Sequence, residues 1–280
     1  MSARLLDGKR LAGECRRQLA ERVERLRGRG CIPRLSVILP TQDEAALAYF
    51  RAKTRTANKL GIEVETHPLE APTTSDIVTL IHSQAADPAV AGIMVEAPVP
   101  RHIDMQAIRA ALPAAKDVDG AGIESLGRLL SGKPVFVPAT AAAALALAET
   151  AGDVAGKHVV IIGRSLVVGR PLALLLLGKD ATVTVCHSKT ARLSEMTRSA
   201  DILFVAVGRA GFVTGDMVAP GAVVIDIGIN MVDGKLVGDV DASTVASVAG
   251  ALSPVPGGVG PMTTTLLLEH VVQAAERRIG

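Results

Sequence analysis

Lys157-His158-Val159-Val160-Ile161-Ile162-Gly163-Arg164-Ser165-Leu166-Val167-Val168-Gly169-Arg170-Pro171 is the stretch whose reading decides the fold. Residues 158–162 form a short run of mostly β-branched apolar side chains, the pattern of a strand buried on both faces. Gly163 ends the run, a polar turn follows, and a helix is predicted over residues 168–177. Pro171 fits that helix because proline is tolerated in a first turn. Strand, glycine turn and helix in this order open a dinucleotide-binding fold. The glycine lets the backbone approach a phosphate, and the helix N-terminus offers free N–H groups to it. The full GxGxxG spacing is absent, since only Gly163 and Gly169 stand here, so this stretch alone also fits a structural turn.

The end of the next strand sharpens the reading. Residues 181–185 are strand-like and run into Cys186-His187-Ser188-Lys189-Thr190. An NAD enzyme usually carries Asp or Glu at this point to hold a ribose hydroxyl. No carboxylate is present here. Imidazole, hydroxyl and ammonium groups, together with Arg164, suit a 2′-phosphate instead, so NADP is favoured over NAD. Taken singly, His187 and Lys189 also read as solvated loop residues.

Outward from this motif, helix and strand alternate. Helical spacing covers residues 11–26, 44–60 and 75–84, with strand patterns at 35–39, 63–67 and 91–95 before the breaker Pro98-Val99-Pro100. Further strands are predicted at 203–207 and 223–227, and a last amphipathic helix at 262–278. This βαβα order predicts an α/β fold class with mainly parallel sheets covered by helices. Residues 113–138 carry Pro, Gly and charge with little periodicity and mark a boundary, with a substrate domain before it and a Rossmann-like nucleotide domain after it.

Composition narrows the class further. Of 280 residues, 49% are hydrophobic and 21% charged, which excludes a disordered chain. No apolar run is long enough to span a membrane, and the first nine residues lack a signal-peptide core, so no membrane partner and a cytoplasmic location are expected. Thirty basic against 28 acidic residues leave a net charge of +2, too little for a general nucleic-acid binder. With no Trp, one Tyr and four Phe, platforms for base stacking are nearly absent. Cys15, Cys31 and Cys186 form no CxxC pair and fit reduced thiols. His67, His82, His102, His158, His187 and His270 show no ligand spacing, so no metal site is expected.

Several further segments carry a family likeness. They are Tyr49-Phe50-Arg51-Ala52-Lys53, Gly92-Ile93-Met94-Val95, Lys116-Asp117-Val118-Asp119-Gly120, Asp226-Ile227-Gly228-Ile229-Asn230, Val237-Gly238-Asp239-Val240 and Pro254-Val255-Pro256-Gly257-Gly258-Val259-Gly260-Pro261-Met262-Thr263. With these and the two nucleotide segments, the chain resembles the methylenetetrahydrofolate dehydrogenase/cyclohydrolase family over nearly its whole length. The resemblance implies two domains flanking a cleft. Residues 1–138 with 263–280 would form the folate domain, and 139–262 the NADP domain. It also implies a homodimer formed through the nucleotide domains. The implied chemistry is NADP-dependent oxidation of 5,10-methylenetetrahydrofolate to the methenyl form, followed in most members by hydrolysis to 10-formyltetrahydrofolate.

By that resemblance Tyr49 would stack on folate, Lys53 would act in catalysis, and Asp119 would hold the pterin nitrogens. Val255, Pro256, Gly257 and Gly258 would shape the wall between folate and nicotinamide. Gly163, Arg164, Ser165, Val168, Gly169, His187, Ser188, Thr190, Val207, Gly208, Ile229 and Thr263 would bind the cofactor. Without it, Tyr49 reads as packing, Lys53 as solvated, Asp117 and Asp119 as a loop-capping pair, and Pro256 to Gly258 as a rigid turn. The substrate half departs from the family pattern. Glu96 replaces a Gln, Thr41 and Ala46 replace Gly and Ser, and Ala121 replaces an aromatic residue. Ser125 replaces Asn, Ala139 and Ala141 fall in the Pro-Cys-Thr-Pro motif, and His270-Val271 replaces Asn-Thr. A carboxylate at Glu96 would hold Lys53 as an ammonium, a poor general base, so loss of the hydrolytic step is expected while hydride transfer survives. Alternatively Glu96 is itself the base, or pairs with a cationic substrate. A second reading is a diverged paralogue acting on another C–N bond, such as a cyclic imine, in a pocket opened by Ala97, Ala121 and Ala139. A third is a non-catalytic NADP-binding protein.

Overall fold

A computed structural model describes residues 2–279. In chain order its elements are β1 (Arg4–Leu5), α1 (Gly8–Gly28), β2 (Arg34–Leu39), α2 (Glu44–Lys59), β3 (Glu63–Pro68), α3 (Thr74–Ala86), β4 (Gly92–Val95), α4 (Met105–Ala111), α5 (Ile123–Leu130) and α6 (Ala139–Glu149). They continue as β5 (His158–Ile162), α7 (Gly169–Leu177), β6 (Thr182–Cys186), α8 (Leu193–Arg198), β7 (Ile202–Val205), β8 (Val223–Asp226), β9 (Asn230–Val232), β10 (Lys235–Val237), α9 (Ala242–Val245), β11 (Ala251–Leu252) and α10 (Val259–Ile279). Among the described residues no helix is long and apolar enough to cross a membrane.

The chain divides into two compact units. One holds residues 14–137 and those from 264 onward. Its sheet is parallel, in the order β3-β2-β4, with Ile38 aligned between His67 and Val95. The middle strand β2 is covered on both sides, and Leu35, Val37 and Ile38 are all but inaccessible. Ile38, Ile77, Ile81, Ile93 and Ile108 gather β2, α3, β4 and α4 into one apolar cluster. Helix starts are capped by local side chains. Asp43 Oδ1 accepts from Ala46 N at 2.8 Å, and Thr73 and Asp76 form a reciprocal capping box at the head of α3.

The other unit holds the first thirteen residues and 138–263. Six parallel strands run in the order β1-β11-β8-β7-β5-β6. Val160, Ile162, Leu203, Val205, Val224 and Leu252 fill one side of this sheet. Parallel strands put all their carboxyl ends on one edge, which is where an open α/β sheet binds ligands.

The structure corrects three expectations. Residues 1–13 join the nucleotide unit rather than the folate unit, because β1 adds an outer strand to the large sheet and Leu6 N donates to Leu252 O at 3.0 Å. The aperiodic stretch 113–138 contains α5, held at its start by Leu126 N donating to Gly122 O at 3.0 Å. The strand predicted over 203–207 is Ile202–Val205 and stops early, because the N–H groups of Val207 and Gly208 turn to a carboxylate instead of a strand.

Ile93 is fully buried within the smaller sheet's cluster, so Ile93→Ala should lower unfolding free energy by about 2–5 kcal/mol. Leu130→Ala, on an exposed helix end, should stay within about 0.5 kcal/mol of wild type. Urea unfolding of the two variants checks this, and equal losses would contradict the packing described.

Candidate active site

Tyr49 and Lys53 stand four residues apart on α2 and so share one face. Lys53 Nζ lies 5.2 Å from the Tyr49 ring centroid. It donates to Glu96 Oε2 at 2.9 Å and to Met94 Sδ at 3.4 Å. Glu96 comes immediately after β4, and its N–H donates to Ile38 O at 2.9 Å, extending the pairing with β2 by one residue. Lys53 is only 7% exposed and Glu96 8%, so the pair is a buried one. Tyr49 is 37% exposed, and its hydroxyl lies 3.4 Å from Thr264 Oγ1 on α10.

Asp117 and Asp119 separate in role. The Asp117 carboxylate accepts from Ala121 N at 3.2 Å, Gly122 N at 2.7 Å and Ser125 Oγ at 2.5 Å. It caps its own loop, and Ser125 serves it from α5. Ile93 N donates to Lys116 O at 2.7 Å, tying the loop to β4. Val118 O accepts from His270 Nδ1 at 2.8 Å. Burial pulls the His270 imidazole below its ordinary pKa, so it is neutral, and the carbonyl acceptor fixes the proton on Nδ1. Between these anchors Asp119 is half-buried, and no protein donor reaches its carboxylate among the described residues. Burial pushes its pKa up to about 7; Lys53 opposes that rise, while Asp117 and Glu96 add to it.

In the larger sheet, the loops after β5, β6 and β7 meet at the carboxyl edge. Gly163 N donates to Cys186 O at 2.9 Å, and Ala206 N to Ile162 O at 2.8 Å. Gly163 has φ +130° and sits so close to Ala206 O that a Cβ there would overlap it. Gly169 is as tightly packed against Gly163 O. These two glycines therefore set the strand–turn–helix junction by close approach. Ser165 Oγ accepts from Val168 N at 3.1 Å and so shapes the turn. Arg164 and Ser188 are exposed, and His187 N donates to Thr190 Oγ1 at 2.9 Å, closing the loop after β6. Ile229 is exposed beyond β8. The donor set fits a dinucleotide with an extra phosphate: backbone N–H groups at the head of α7, and cationic and hydroxyl groups with no carboxylate at the end of β6.

Val255, Pro256, Gly257 and Gly258 also lie in this unit, in the turn before α10. Lys9 N donates to Gly257 O at 3.1 Å and Gly258 N to Pro254 O at 2.8 Å, so the turn is rigid. Thr263 lies in the first turns of α10, its hydroxyl donating to Val259 O at 3.3 Å.

Residues 6–119 match the model of the tetrahydrofolate dehydrogenase/cyclohydrolase catalytic domain, and residues 138–279 match that family's NAD(P)-binding domain. The chain belongs to the tetrahydrofolate dehydrogenase/cyclohydrolase family. It is 49% identical over 274 residues to the Bifunctional protein FolD of an Exiguobacterium species, covering 98% of this chain and 99% of the relative. The crystal structure of the bifunctional FolD enzyme from Campylobacter jejuni is 40% identical with a TM-score of 0.96, over 99% of this chain and 100% of that one. The Trypanosoma brucei methylenetetrahydrofolate dehydrogenase-cyclohydrolase, solved with NADP and an inhibitor, is 32% identical with a TM-score of 0.94, over 100% and 99%. The non-catalytic and cyclic-imine readings find no support among these members of the family.

Sequence reasoning brought Tyr49, Lys53, Glu96 and Asp119 forward as one group; Lys53 meets Tyr49 and Glu96 directly, and Asp119 is near enough to feel the charges of Lys53 and Glu96. It missed Thr264 and Met94, whose side chains meet Tyr49 and Lys53, and gave no role to His270, Asp226 or Asp239. Each is an ordinary core or loop residue by pattern, visible only once distant segments are in contact.

The Asp119 carboxyl should titrate near pH 7 in a carbon-13 NMR experiment on the intact chain. Glu96→Gln removes a like charge and should lower that midpoint, while Lys53→Met removes the opposing cation and should raise it. The folded chain holds this proton more tightly than the unfolded chain. Ionised Asp119 therefore costs stability above about pH 7, and the cost is relieved as the pH falls from 7 toward 4. A midpoint at the ordinary carboxylate value would refute the burial argument.

Proposed function

We propose that this chain oxidises 5,10-methylenetetrahydrofolate to 5,10-methenyltetrahydrofolate, with NADP as hydride acceptor. The observation that carries the reading is family membership across both units; the contacts of Lys53 with Tyr49 and Glu96 in the catalytic-domain half agree with it. The unit of residues 14–137 and 264 onward takes the folate, and the other takes the nucleotide. Tyr49, half open, stacks on the aromatic part of the folate. The Asp119 carboxylate, which meets no protein donor among the described residues, accepts from pterin N–H groups. Val255 to Gly258 form a rigid wall on the nicotinamide side. NADP, when bound, supplies the site that takes the hydride. Hydride leaves the bridging carbon with its electron pair, and the flanking nitrogens spread the positive charge, so the step needs positioning rather than proton transfer.

The second reaction of the family adds water to the methenyl carbon, breaks a C–N bond and releases a proton. A Lys53 ammonium already donating to Glu96 has no lone pair with which to take that proton. We infer that hydrolysis is slow in this chain for that reason. Glu96→Gln frees Lys53 from its counter-ion and should raise the rate of methenyltetrahydrofolate hydrolysis by at least about tenfold, within the range general-base catalysis supplies. NADPH formation from methylenetetrahydrofolate should change only a few-fold. Hydrolysis by wild type as fast as by the variant sinks the inference, and a variant slower than wild type makes Glu96 the base. No NADPH from wild type with methylenetetrahydrofolate sinks the main reading.

A cytoplasmic homodimer joined through the nucleotide units fits the same reading. The three cysteines are free, and β6 forms an open edge of the large sheet with Val185 exposed. Light scattering should report twice the 28.9 kDa chain mass at micromolar concentration, and a mass of one chain refutes the dimer.

A further inference from the structure

Two buried carboxylates in the nucleotide unit make no ion pair among the described residues. Asp239 is fully buried, and its carboxylate accepts from Val207 N at 2.6 Å, Gly208 N at 2.9 Å, Arg209 N at 2.9 Å and Asn230 Nδ2 at 2.9 Å. Three of those donors are consecutive backbone N–H groups, and Gly208 in their middle has φ +65°. Successive N–H groups around a left-handed residue make a nest, a shape that binds anions. Here the nest is filled by the chain's own carboxylate. Asp226, at the end of β8, accepts in turn from Gly228 N at 3.0 Å, Asp239 N at 3.0 Å and Val240 N at 2.9 Å. The packing leaves no slack. A Cβ on Gly228 would overlap the Asp239 carboxylate, and one on Gly238 would overlap that of Asp226.

The two residues act in series. Asp226 fixes the backbone of Asp239, and Asp239 fixes the loop that follows β7 and the Asn230 side chain that follows β8. Those two loops leave the carboxyl edge of the sheet next to the phosphate-type turn, since Ala206 is the residue against which Gly163 packs. We propose that Asp239, backed by Asp226, is a positioning residue for the dinucleotide: it holds residues 206–209 and 228–230 in the binding conformation before the cofactor arrives. A nest already occupied from within cannot collapse onto a phosphate or open to water, so the cofactor meets a preformed surface and pays little ordering cost. Burial pushes Asp226 up to about 6 despite its three donors, and Asp239 adds to the rise, as expected for anions held by neutral dipoles alone.

This inference rests on the assignment of this unit to NADP, and one experiment separates the two. NADP affinity is measured by calorimetry on the full chain, at a temperature where every variant is folded, for wild type, Asp239→Asn, Asn230→Ala and Val159→Ala. Amide hydrogen exchange of residues 206–209 without nucleotide is followed in parallel. Asp239→Asn keeps the shape but presents an NH2 to donors that need an acceptor. It should weaken NADP binding at least tenfold and speed exchange of the 207–209 amides. Asn230→Ala removes one donor only, so it should shift both readouts in the same direction by less, and it keeps the test open if Asp239→Asn fails to fold. Val159→Ala loosens the core of β5 away from these loops, so it should lower stability with unchanged affinity. Wild-type affinity in Asp239→Asn, or in Asn230→Ala where that is the variant that folds, overturns the inference while leaving the nucleotide assignment standing. So does a Val159→Ala affinity loss in proportion to its stability loss. Absence of NADP binding by wild type overturns both.

Discussion

A buried aspartate that is not paired with a cation has to be satisfied by N–H and O–H groups, and in this chain that requirement shapes both units. Each parallel sheet ends its strands in loops that must leave the carboxyl edge in a defined direction. An unsatisfied buried charge costs far more than the hydrogen bonds that remove it, so the carboxylate recruits every donor nearby. Asp117 recruits Ala121, Gly122 and Ser125, and Asp239 recruits Val207, Gly208, Arg209 and Asn230. The loop conformations follow from that demand. The Asp119 carboxylate, two residues beyond Asp117, is the one in this loop that meets no protein donor among the described residues.

The Lys53–Glu96 pair follows a different logic. Its members are charged, buried and in contact, and neither is spent on shaping a loop. A buried ion pair adds little net stability, because desolvation offsets most of the attraction, but removing one partner strands the other. Such a pair fixes a charge state more than it fixes a fold. Met94 Sδ and the Tyr49 ring also lie against the ammonium, two soft and polarisable neighbours beside the carboxylate.

The sequence revealed elements that carry a period. Residues 158–162 read as a buried strand and residues 44–60 as a helix, within a residue of their observed bounds, because an unbroken apolar run marks the first and helical spacing the second. It hid elements held only by partners. β1 and β11 are two residues each, too short for any alternation, and exist because they pair with each other and with β8. The Ala-rich α6 is buried around nearly its whole circumference, so it shows no stripe, only a run of small apolar residues. That Tyr49 and Lys53 share a face was legible, because they stand one turn apart on one element, although only the family resemblance singled them out from packing and solvated residues. The site was not legible where donors are backbone groups: nothing in the letters separates Asp117, which spends its charge on its own loop, from Asp119, which does not.

The family's two reactions make different demands on the same pocket, and position 96 is where the demands diverge. Hydride transfer asks that the donor carbon be held still while electron density moves, and a rigid pair of buried side chains serves that as well as a neutral one. Hydrolysis asks for a group that can take a proton from water at the moment of attack. A glutamine beside Lys53 would leave it without a charged partner. A glutamate at 2.9 Å commits the ammonium, and its own lone pairs, to each other. Exchanging one NH2 for one oxygen changes the charge beside Lys53 and hardly the volume of the side chain. Position 96 therefore decides which charge stands beside Lys53 and not how the backbone runs, since the Glu96 N–H pairs with Ile38 O whatever its side chain carries.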